Sequence, residues 1–160
     1  MIVKFKKLHP NAVIPKQATE LAGGWDVTCT EIVQESPNFV ICKLGFALQP
    51  PVGYRIILVP RSSFTKTKWV MQNAPGTGDA DYLGEYQYRL RALPIRNNVL
   101  GTAFEYPEVP FKIGDRIGQI YLEKVIPIEF EEVEELSQTD REQEALGQQT
   151  NNKINKINGN

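Results

Sequence analysis

The segment "GTGDADYLGEY", residues 76–86, places two acids, Asp79 and Asp81, one residue apart between glycines, and Tyr82 follows at once. The chain then alternates apolar and polar residues over 85–93, which is typical of a half-buried strand. Acids and glycines before a strand are compatible with a metal site, a phosphate site, a β-turn or a reactive carboxylate. The rest of the sequence has to decide among these four interpretations.

Three of the interpretations can be tested on the segment itself. A calcium loop that starts at Asp79 fails, because Leu83 and Leu90 stand where oxygen donors are required. A phosphate-binding P-loop fails as well, since no Gly-Lys-Ser/Thr follows the glycines. A β-hairpin turn uses Asp as a cap and Gly for positive φ. The turn interpretation fits a segment that leads into a strand, but it leaves the bulky Tyr82 beside two acids unexplained.

Strand patterns dominate the chain up to residue 136. Short strands separated by Pro and Gly, with hardly any helical period, predict an all-β sandwich or barrel. Residues 62–72 hold at most one helical turn. The predicted strands are 2–8, 25–33, 39–48, 54–60, 85–93 and 116–133, the last as two short strands broken at Pro127.

The composition changes after residue 136. Residues 137–160 contain no aromatic side chain and end in "TNNKINKINGN", which cannot bury much apolar surface. Thr139 with Glu142 three residues later is a capping-box start for a short helix. We therefore predict one β domain over 1–136 and a polar, flexible C-terminal arm over 137–160.

The net charge of the chain restricts the classes of binding partner. The net charge is −1, which predicts neither nucleic acid nor a membrane as a partner, and no apolar run approaches the length of a bilayer span. The first ten residues, "MIVKFKKLHP", have no uninterrupted apolar region of a signal peptide. Cys29 and Cys42 lack CxxC spacing, so we expect small buried hydrophobes in a reducing, cytoplasmic compartment.

The single histidine restricts the kinds of catalytic and metal site that the chain can form. A Ser-His-Asp or Cys-His site would have to use His9, which precedes Pro10 near the N-terminus, and a histidine-rich zinc site is impossible. Catalysis must then use carboxylates, Arg, Lys, Ser or Tyr, with a metal carried by the ligand. A carboxylate within reach of a water can act as a general base without any nucleophilic side chain.

Four short segments occur in an order and spacing that resemble the homotrimeric dUTPase family. They are "AGGWDV" (22–27), "PRSS" (60–63), "GTGDADYLGE" (76–85) and "GDRIGQ" (114–119). The resemblance covers residues 1–136, and the third segment is the most specific. It implies an all-β, distorted jelly-roll or β-clip barrel that assembles as a homotrimer with sites between subunits. The apolar run 39–48 and the face of Tyr86, Tyr88 and Leu90 also predict a trimer, because they offer more apolar surface than one small sandwich must hide.

The resemblance further implies hydrolysis of dUTP to dUMP and pyrophosphate. Asp79 corresponds to the carboxylate that activates the water attacking the α-phosphorus. Tyr82 corresponds to the ring that lies against the deoxyribose and excludes a 2′-hydroxyl. Asn73 corresponds to the residue that helps to read the uracil edge, and Gly76 is a further substrate-binding position. The groups around the phosphates correspond to Arg61, Ser62, Ser63 and Gln119, while Asp26 supports the site and its water network.

The implied cofactor is Mg²⁺, held mainly by the substrate phosphates and water with no direct protein ligand. Mg²⁺, Arg61 and backbone donors together can hold the negative triphosphate and stabilise its transition state. Lys66 and Lys68 follow the second segment, and no role is assigned to them.

The sequence departs from the family pattern in three places. Gly78 stands where the family usually has an aliphatic residue, and Gly118 where it usually has alanine. The fifth motif, "DREQEALGQQT" (140–150), keeps Arg141, which is suited to pair with phosphate, but has Leu146 in place of the phenylalanine that covers uracil. We therefore expect the arm to order weakly on bound nucleotide.

Two other functions remain open at this point. One is a dUTPase-like nucleotide-binding or regulatory protein with weak turnover, which the altered fifth motif favours. The other is dCTP deaminase, which shares the fold, although Asp79 and Tyr82 stand where the dUTPase pattern requires them.

Overall fold

Thirteen β-strands and one short 3-10 helix form within residues 1–96 and 104–137, the part of the chain that the computed structural model describes. The helix, Ser62–Lys66, is the single helical turn expected within 62–72. The predicted all-β class is confirmed. The strands are β1 Lys4–Lys7, β2 Lys16–Gln17, β3 Trp25–Thr28, β4 Glu31–Ser36, β5 Phe39–Lys43, β6 Phe46–Gln49, β7 Tyr54–Pro60, β8 Trp69–Met71, β9 Gly76–Gly78, β10 Gln87–Ala92, β11 Ile95–Arg96, β12 Phe104–Glu105 and β13 Arg116–Lys124.

Two larger sheets organise these strands. One has the order β2-β3-β13-β7-β9 and the other β4-β5-β10-β8, while β1-β6 and β11-β12 form two-stranded sheets. The recorded pairings are antiparallel. Both larger sheets contribute to a single hydrophobic core, so they pack against each other. Its members include Val27, Ile56, Leu58, Ile117 and Ile120 from the first sheet and Val40, Cys42, Met71, Tyr88 and Leu90 from the second.

The segment 25–33, predicted as one strand, is two strands in different sheets. The backbone N–H of Cys29 donates to Asp115, beside β13, whereas that of Thr30 donates to Lys43 in β5. Cys29 and Thr30 therefore form hydrogen bonds with different sheets, and the strand has to end between them. Cys29 and Cys42 are both free and buried, which confirms their expected role as small core residues.

The segment 39–48, also predicted as one strand, is divided at Gly45. This glycine has φ 69°, and a Cβ there would lie 2.7 Å from the Cβ of His9. Its carbonyl accepts hydrogen bonds from the N–H groups of Leu8 and His9. The close approach of the segment after β1 therefore bends the chain, and β6 pairs with β1 instead of continuing β5.

The second strand predicted within 116–133 is wrong for the described residues. β13 ends at Lys124, opposite Tyr54, where its partner β7 begins. One residue further, the N–H of Val125 donates to the carbonyl of Gly53. Pro127 then follows without an N–H to continue a ladder.

The apolar faces expected to lie at a trimer interface are instead buried within one chain. Tyr86 is 2% exposed, and Tyr88 and Leu90 are fully buried. Val40 and Cys42 of the run 39–48 are equally buried. These side chains fill the space between the two sheets, so their apolar surface is not evidence for a trimer.

By their internal contacts the residues divide into Met1–Ile126 and Pro127–Asn160. The predicted boundary after residue 136, the helix beginning near Thr139, and the roles of Arg141 and Leu146 stay predictions, because residues 138–160 lie outside the described part. Within the described ranges, no helix is long and apolar enough to cross a membrane.

Candidate active site

The first group of predicted site residues gathers around β13, the centre of the five-stranded sheet. Register pairing sets Gln119 of β13 opposite Asp26 of β3 on one side and opposite Val59 of β7 on the other. Arg61 follows directly after β7. Three segments that are distant in sequence therefore meet because their strands are neighbours.

Asp26 is the centre of this group and is only 6% exposed. Its Oδ1 lies 3.2 Å from Nε of Arg61 and accepts a hydrogen bond of 3.0 Å from Nε2 of Gln119. Its Oδ2 accepts a hydrogen bond of 3.0 Å from Nη1 of Arg116. A buried carboxylate is tolerated when it is paired and hydrogen-bonded in this way. The single carboxylate faces two guanidinium groups, so one positive charge is in excess and suits an anionic ligand.

Arg116 also belongs to this group, although the sequence interpretation did not assign it to the site. It lies within the fourth segment, "GDRIGQ", but only the register of β13 against β3 reveals its partner. Its guanidinium bonds Asp26, and its carbonyl accepts a hydrogen bond of 3.3 Å from Nη1 of Arg61. Arg116 therefore connects the two arginines of this group. Its side chain is 56% exposed and can also reach a ligand.

Ser62 and Ser63 open the 3-10 helix directly after Arg61, and both are exposed. The helix is fixed by Phe64, whose ring is buried and stacks on Phe111 at a centroid distance of 4.9 Å. The two serine hydroxyls therefore lie beside Arg61 on a turn that the packing of Phe64 holds in place.

The second group lies on the segment between β8 and β10. Nδ2 of Asn73 donates to the carbonyl of Gln87 at 3.4 Å, and its Oδ1 accepts from the N–H of Arg89 at 3.1 Å. Asn73 thus ties the start of the segment to β10. Gly76 lies close by, where an added Cβ would come within 3.1 Å of the Asn73 carbonyl oxygen and 3.3 Å of the Leu58 Cβ. Only a residue without a side chain fits there easily.

Asp79 and Tyr82 close the turn that follows β9. The N–H of Tyr82 donates to the carbonyl of Asp79 at 3.1 Å, and the hydroxyl of Tyr82 donates to the carbonyl of Glu85 at 2.9 Å. The Tyr82 ring is 44% exposed and meets the Tyr86 ring edge to face at 5.4 Å. The exposed carboxylate of Asp79 has no hydrogen-bond or ion-pair partner in residues 1–96 and 104–137. A capping aspartate would bond nearby N–H groups, so Asp79 is free for another role.

Tyr86 lies beneath this turn, and sequence reasoning missed its contact. A Cβ at Gly78 would come within 2.6 Å of the Tyr86 ring, so the phenol fills the space of the missing side chain. The Tyr86 hydroxyl is the one buried side-chain polar atom without a hydrogen-bond partner among the described residues. Burial, followed by the nearby Tyr82 and Asp79, raises the pKa of Tyr86 to about 12.

Several known proteins that are similar in sequence are named as the same enzyme. The deoxyuridine 5'-triphosphate nucleotidohydrolase of Helicobacter pylori (strain P12) is 36% identical over 143 residues, which cover 88% of this chain and 91% of that protein. The enzyme of the same name from Hydrogenobaculum sp. is 34% identical over 145 residues, with 89% and 93% covered. The chain belongs to the dUTPase family. No protein-family model matches it.

Solved dUTPase structures share the fold. A mutant of the dUTPase from phage phi11 of S. aureus, described with a coordinated structural Mg(II) ion, superposes with a TM-score of 0.68 at 21% identity, covering 86% of this chain and 100% of that one. A Staphylococcus bacteriophage 80alpha dUTPase mutant with dUpNHpp gives a TM-score of 0.68 at 22% identity, covering 90% and 95%. The expected dUTPase-like fold is therefore confirmed.

A single chain does not bring the two groups of candidate site residues together. β9 runs antiparallel to β7, with Gly76 opposite Leu58 and Gly78 opposite Ile56. Asp79 therefore comes level with residue 55, near the start of β7, whereas Arg61 directly follows the other end of that strand. Residues 55 and 61 of an extended chain are separated by about 20 Å, at roughly 3.3 Å per residue. The family resemblance implied sites between subunits, but it did not indicate which of these residues one chain would supply and which a neighbour would supply.

Proposed function

We propose that the chain hydrolyses dUTP to dUMP and pyrophosphate, as the names of its relatives indicate for those proteins. The observation that carries the proposal is the partner-free carboxylate of Asp79 on a turn that also presents the Tyr82 ring. Asp79 takes a proton from a water, whose oxygen attacks the α-phosphorus and displaces pyrophosphate. Arg61, Ser62, Ser63 and Gln119 hold the phosphates, and Asn73 and Gly76 receive the uracil.

The Asp26 group supports the phosphate role. Arg61 and Arg116 both bond one buried carboxylate, which fixes their guanidinium groups before substrate arrives. A preorganised pair of cations stabilises negative charge in the transition state without reorganising during the reaction. Asp26 therefore acts through the arginines and Gln119, without touching the substrate.

Mg²⁺ fits this site as an ion that arrives with the triphosphate. Mg²⁺ commonly uses one or two carboxylates together with substrate phosphates and water. Asp79 is an exposed carboxylate suited to bond its water shell. When bound, Mg²⁺ neutralises part of the phosphate charge, while the protein's own residues orient the substrate and accept the proton. Arg141, outside the described residues, is proposed as a further phosphate partner from the arm.

The direct test of the function is to incubate the protein with dUTP, dCTP or UTP and Mg²⁺ and to measure both pyrophosphate and ammonia. We expect pyrophosphate from dUTP only. Ammonia from dCTP would indicate a deaminase, and tight dUTP binding without product would indicate a regulatory binding protein. The two free buried cysteines suit a reducing compartment, and we propose a cytoplasmic location on that basis.

We further propose a homotrimer in which one chain supplies Asp79, Tyr82 and Asn73 and a neighbour supplies Arg61 and Gln119. The separation of about 20 Å along β7 supports it, because a general base has to lie within one water of the phosphorus it serves. An apolar groove of about 400 Å³, lined in part by Val3, Ile14 and Trp25, offers surface that a second copy can cover.

This assembly predicts a trimeric mass at micromolar concentration. Multi-angle light scattering measures that mass directly, and the same sample should hydrolyse dUTP. A monomer that is fully active would contradict the shared site.

The choice of sugar gives a separate prediction. If Tyr82 packs on the deoxyribose, the 2′-hydroxyl of UTP clashes or is buried without a partner, and the latter costs about 1–3 kcal/mol. The parent should therefore strongly prefer dUTP, and Tyr82→Ala should reduce that preference roughly tenfold or more. The measurement is kcat/KM for dUTP and for UTP.

Tyr82→Phe is the matched control for this substitution. It keeps the ring and removes only the hydrogen bond to the Glu85 carbonyl. The preference for dUTP should then stay within about threefold of the parent, since the ring excludes the hydroxyl by shape. Equal kcat/KM values for dUTP and UTP in the parent would rule out the role of Tyr82.

A further inference from the structure

Tyr88 connects the two larger sheets through its hydroxyl group. Its backbone belongs to β10, opposite Cys42 of β5, yet its hydroxyl lies 2.8 Å from the carbonyl oxygen of Gln119 and 3.2 Å from that of Val59. Those two carbonyls belong to register partners on β13 and β7 in the other sheet. The phenol hydroxyl therefore lies between the carbonyls of two paired strands, β7 and β13, and donates to them.

The ring reaches this point because residue 118 has no side chain. An added Cβ at Gly118 would collide with the ring atoms and the hydroxyl of Tyr88. No flexible side-chain end could yield there, because the ring is fully buried and its hydroxyl is bonded. Gly118 and Tyr88 are thus a matched pair, because the Tyr88 ring fits only where residue 118 has no side chain.

The pair lies next to the residues that hold Asp26. Val59 is two residues before Arg61, whose Nε lies 3.2 Å from Asp26, and Gln119 donates to Asp26 at 3.0 Å. A change in the spacing of Val59 and Gln119 would displace Arg61 and Gln119 together.

We propose that Tyr88 is a positioning residue for the phosphate end of the active site, where its hydroxyl holds Arg61 and Gln119 in register through the Val59 and Gln119 carbonyls. The proposal rests on the proposed dUTP hydrolysis, because it assigns phosphate binding to those two side chains. Burial raises the pKa of the Tyr88 phenol, so the hydroxyl stays protonated and can donate at neutral pH.

The residue just before β10 provides a matched control. Tyr86 lies two residues away on the same side of the chain, is similarly buried, and fills the space over Gly78 as Tyr88 fills that over Gly118. The difference is that the Tyr86 hydroxyl has no partner among the described residues. Tyr86→Phe therefore removes a buried phenol hydroxyl without removing a hydrogen bond.

The experiment compares Tyr88→Phe, Tyr86→Phe and the parent in their affinity for dUpNHpp and for deoxyuridine, which lacks phosphates. Tyr88→Phe should bind dUpNHpp about three- to tenfold more weakly, as expected for one lost hydrogen bond, with unchanged deoxyuridine affinity. Tyr86→Phe should bind both as the parent does. Parental dUpNHpp affinity in Tyr88→Phe, or an equal loss for deoxyuridine, would overturn the proposal. A parent that neither binds dUpNHpp nor hydrolyses dUTP would instead overturn the proposed function.

A second pair of variants separates the hydroxyl from the volume of the ring. Gly118→Ala should lower the unfolding midpoint in urea, and adding Tyr88→Leu should recover it by removing the collision. The double variant should nevertheless keep the weaker dUpNHpp affinity of Tyr88→Phe, because it also lacks the hydroxyl. Full recovery of affinity would show that packing volume positions the strands, and failure of the midpoint to recover would show that the two residues are not a matched pair. Either result contradicts the proposal.

Discussion

Asp79→Asn is expected to lower kcat for dUTP by about 10²–10⁴-fold, the range that a positioned general base contributes. The amide has nearly the same shape as the carboxylate but cannot take a proton from water. Because the Asp79 carboxylate has no partner within the described residues, the substitution breaks no hydrogen bond. The free energy of unfolding should therefore stay within about 0.5 kcal/mol of the parent value.

The chain supplies its own control for this substitution. Asp81 is a second exposed acid on the same turn, two residues further along. Asp81→Asn changes the local charge by the same amount and should leave kcat within about threefold of the parent, since surface charges away from the reacting atoms have small effects. Single-turnover measurement with saturating enzyme isolates the chemical step. Equal losses in both variants would mean that the turn's charge matters and that Asp79 is not the base.

Asp26→Ala is expected to lower kcat/KM by about 10²-fold through a different route. Removing one partner of a buried, hydrogen-bonded charge group costs about 2–5 kcal/mol, because the remaining charges are left without compensation. Arg61, Arg116 and Gln119 would all lose their shared acceptor. The two guanidinium groups would repel each other, so the loss should appear mainly as weaker dUTP binding.

Stability and activity have to be measured together in this case. Urea unfolding of Asp26→Ala gives the structural cost, and kcat/KM measured well below the unfolding midpoint gives the functional cost. Glu31→Ala is the control: it removes the carboxylate that pairs with Lys43 at 3.0 Å, but both side chains are partly exposed. Such a pair contributes about 0–1 kcal/mol, and activity should not change. Asp26→Ala with parental kcat/KM would exclude the carboxylate from organising the site.

The sequence predicted where most strands lie, because the alternation within 85–93 and the apolar run within 54–60 are local properties. It did not predict where strands end by changing sheets. The break between Cys29 and Thr30 depends on hydrogen-bond partners at Asp115 and Lys43, which are distant in sequence. The division at Gly45 similarly depends on the approach of His9. Pairing of this kind is set by tertiary contacts, and periodicity carries no information about it.

The candidate site shows the same limit. Asp79 and Tyr82 could be assigned from the short, specific segment 76–86, because the residues adjacent to them in sequence are also adjacent in space. Arg116 and Tyr88 could not, because each acts on a residue from another strand. Gly78 and Gly118 were the available signal, because another side chain had to fill the space left at each position. Tyr86 fills it at Gly78, and Tyr88 of β10 fills it at Gly118.

The placement of Asp79 and Arg61 near opposite ends of β7 also has a genetic consequence. In the proposed homotrimer, a chain that lacks Asp79 and a chain that lacks Arg61 would each be inactive alone, yet they would complement each other in mixed trimers. An intact site would form wherever Asp79 of one chain faces Arg61 of another. Two defective copies of the gene could thus sustain dUTP removal in one cell, whereas two copies with the same defect could not.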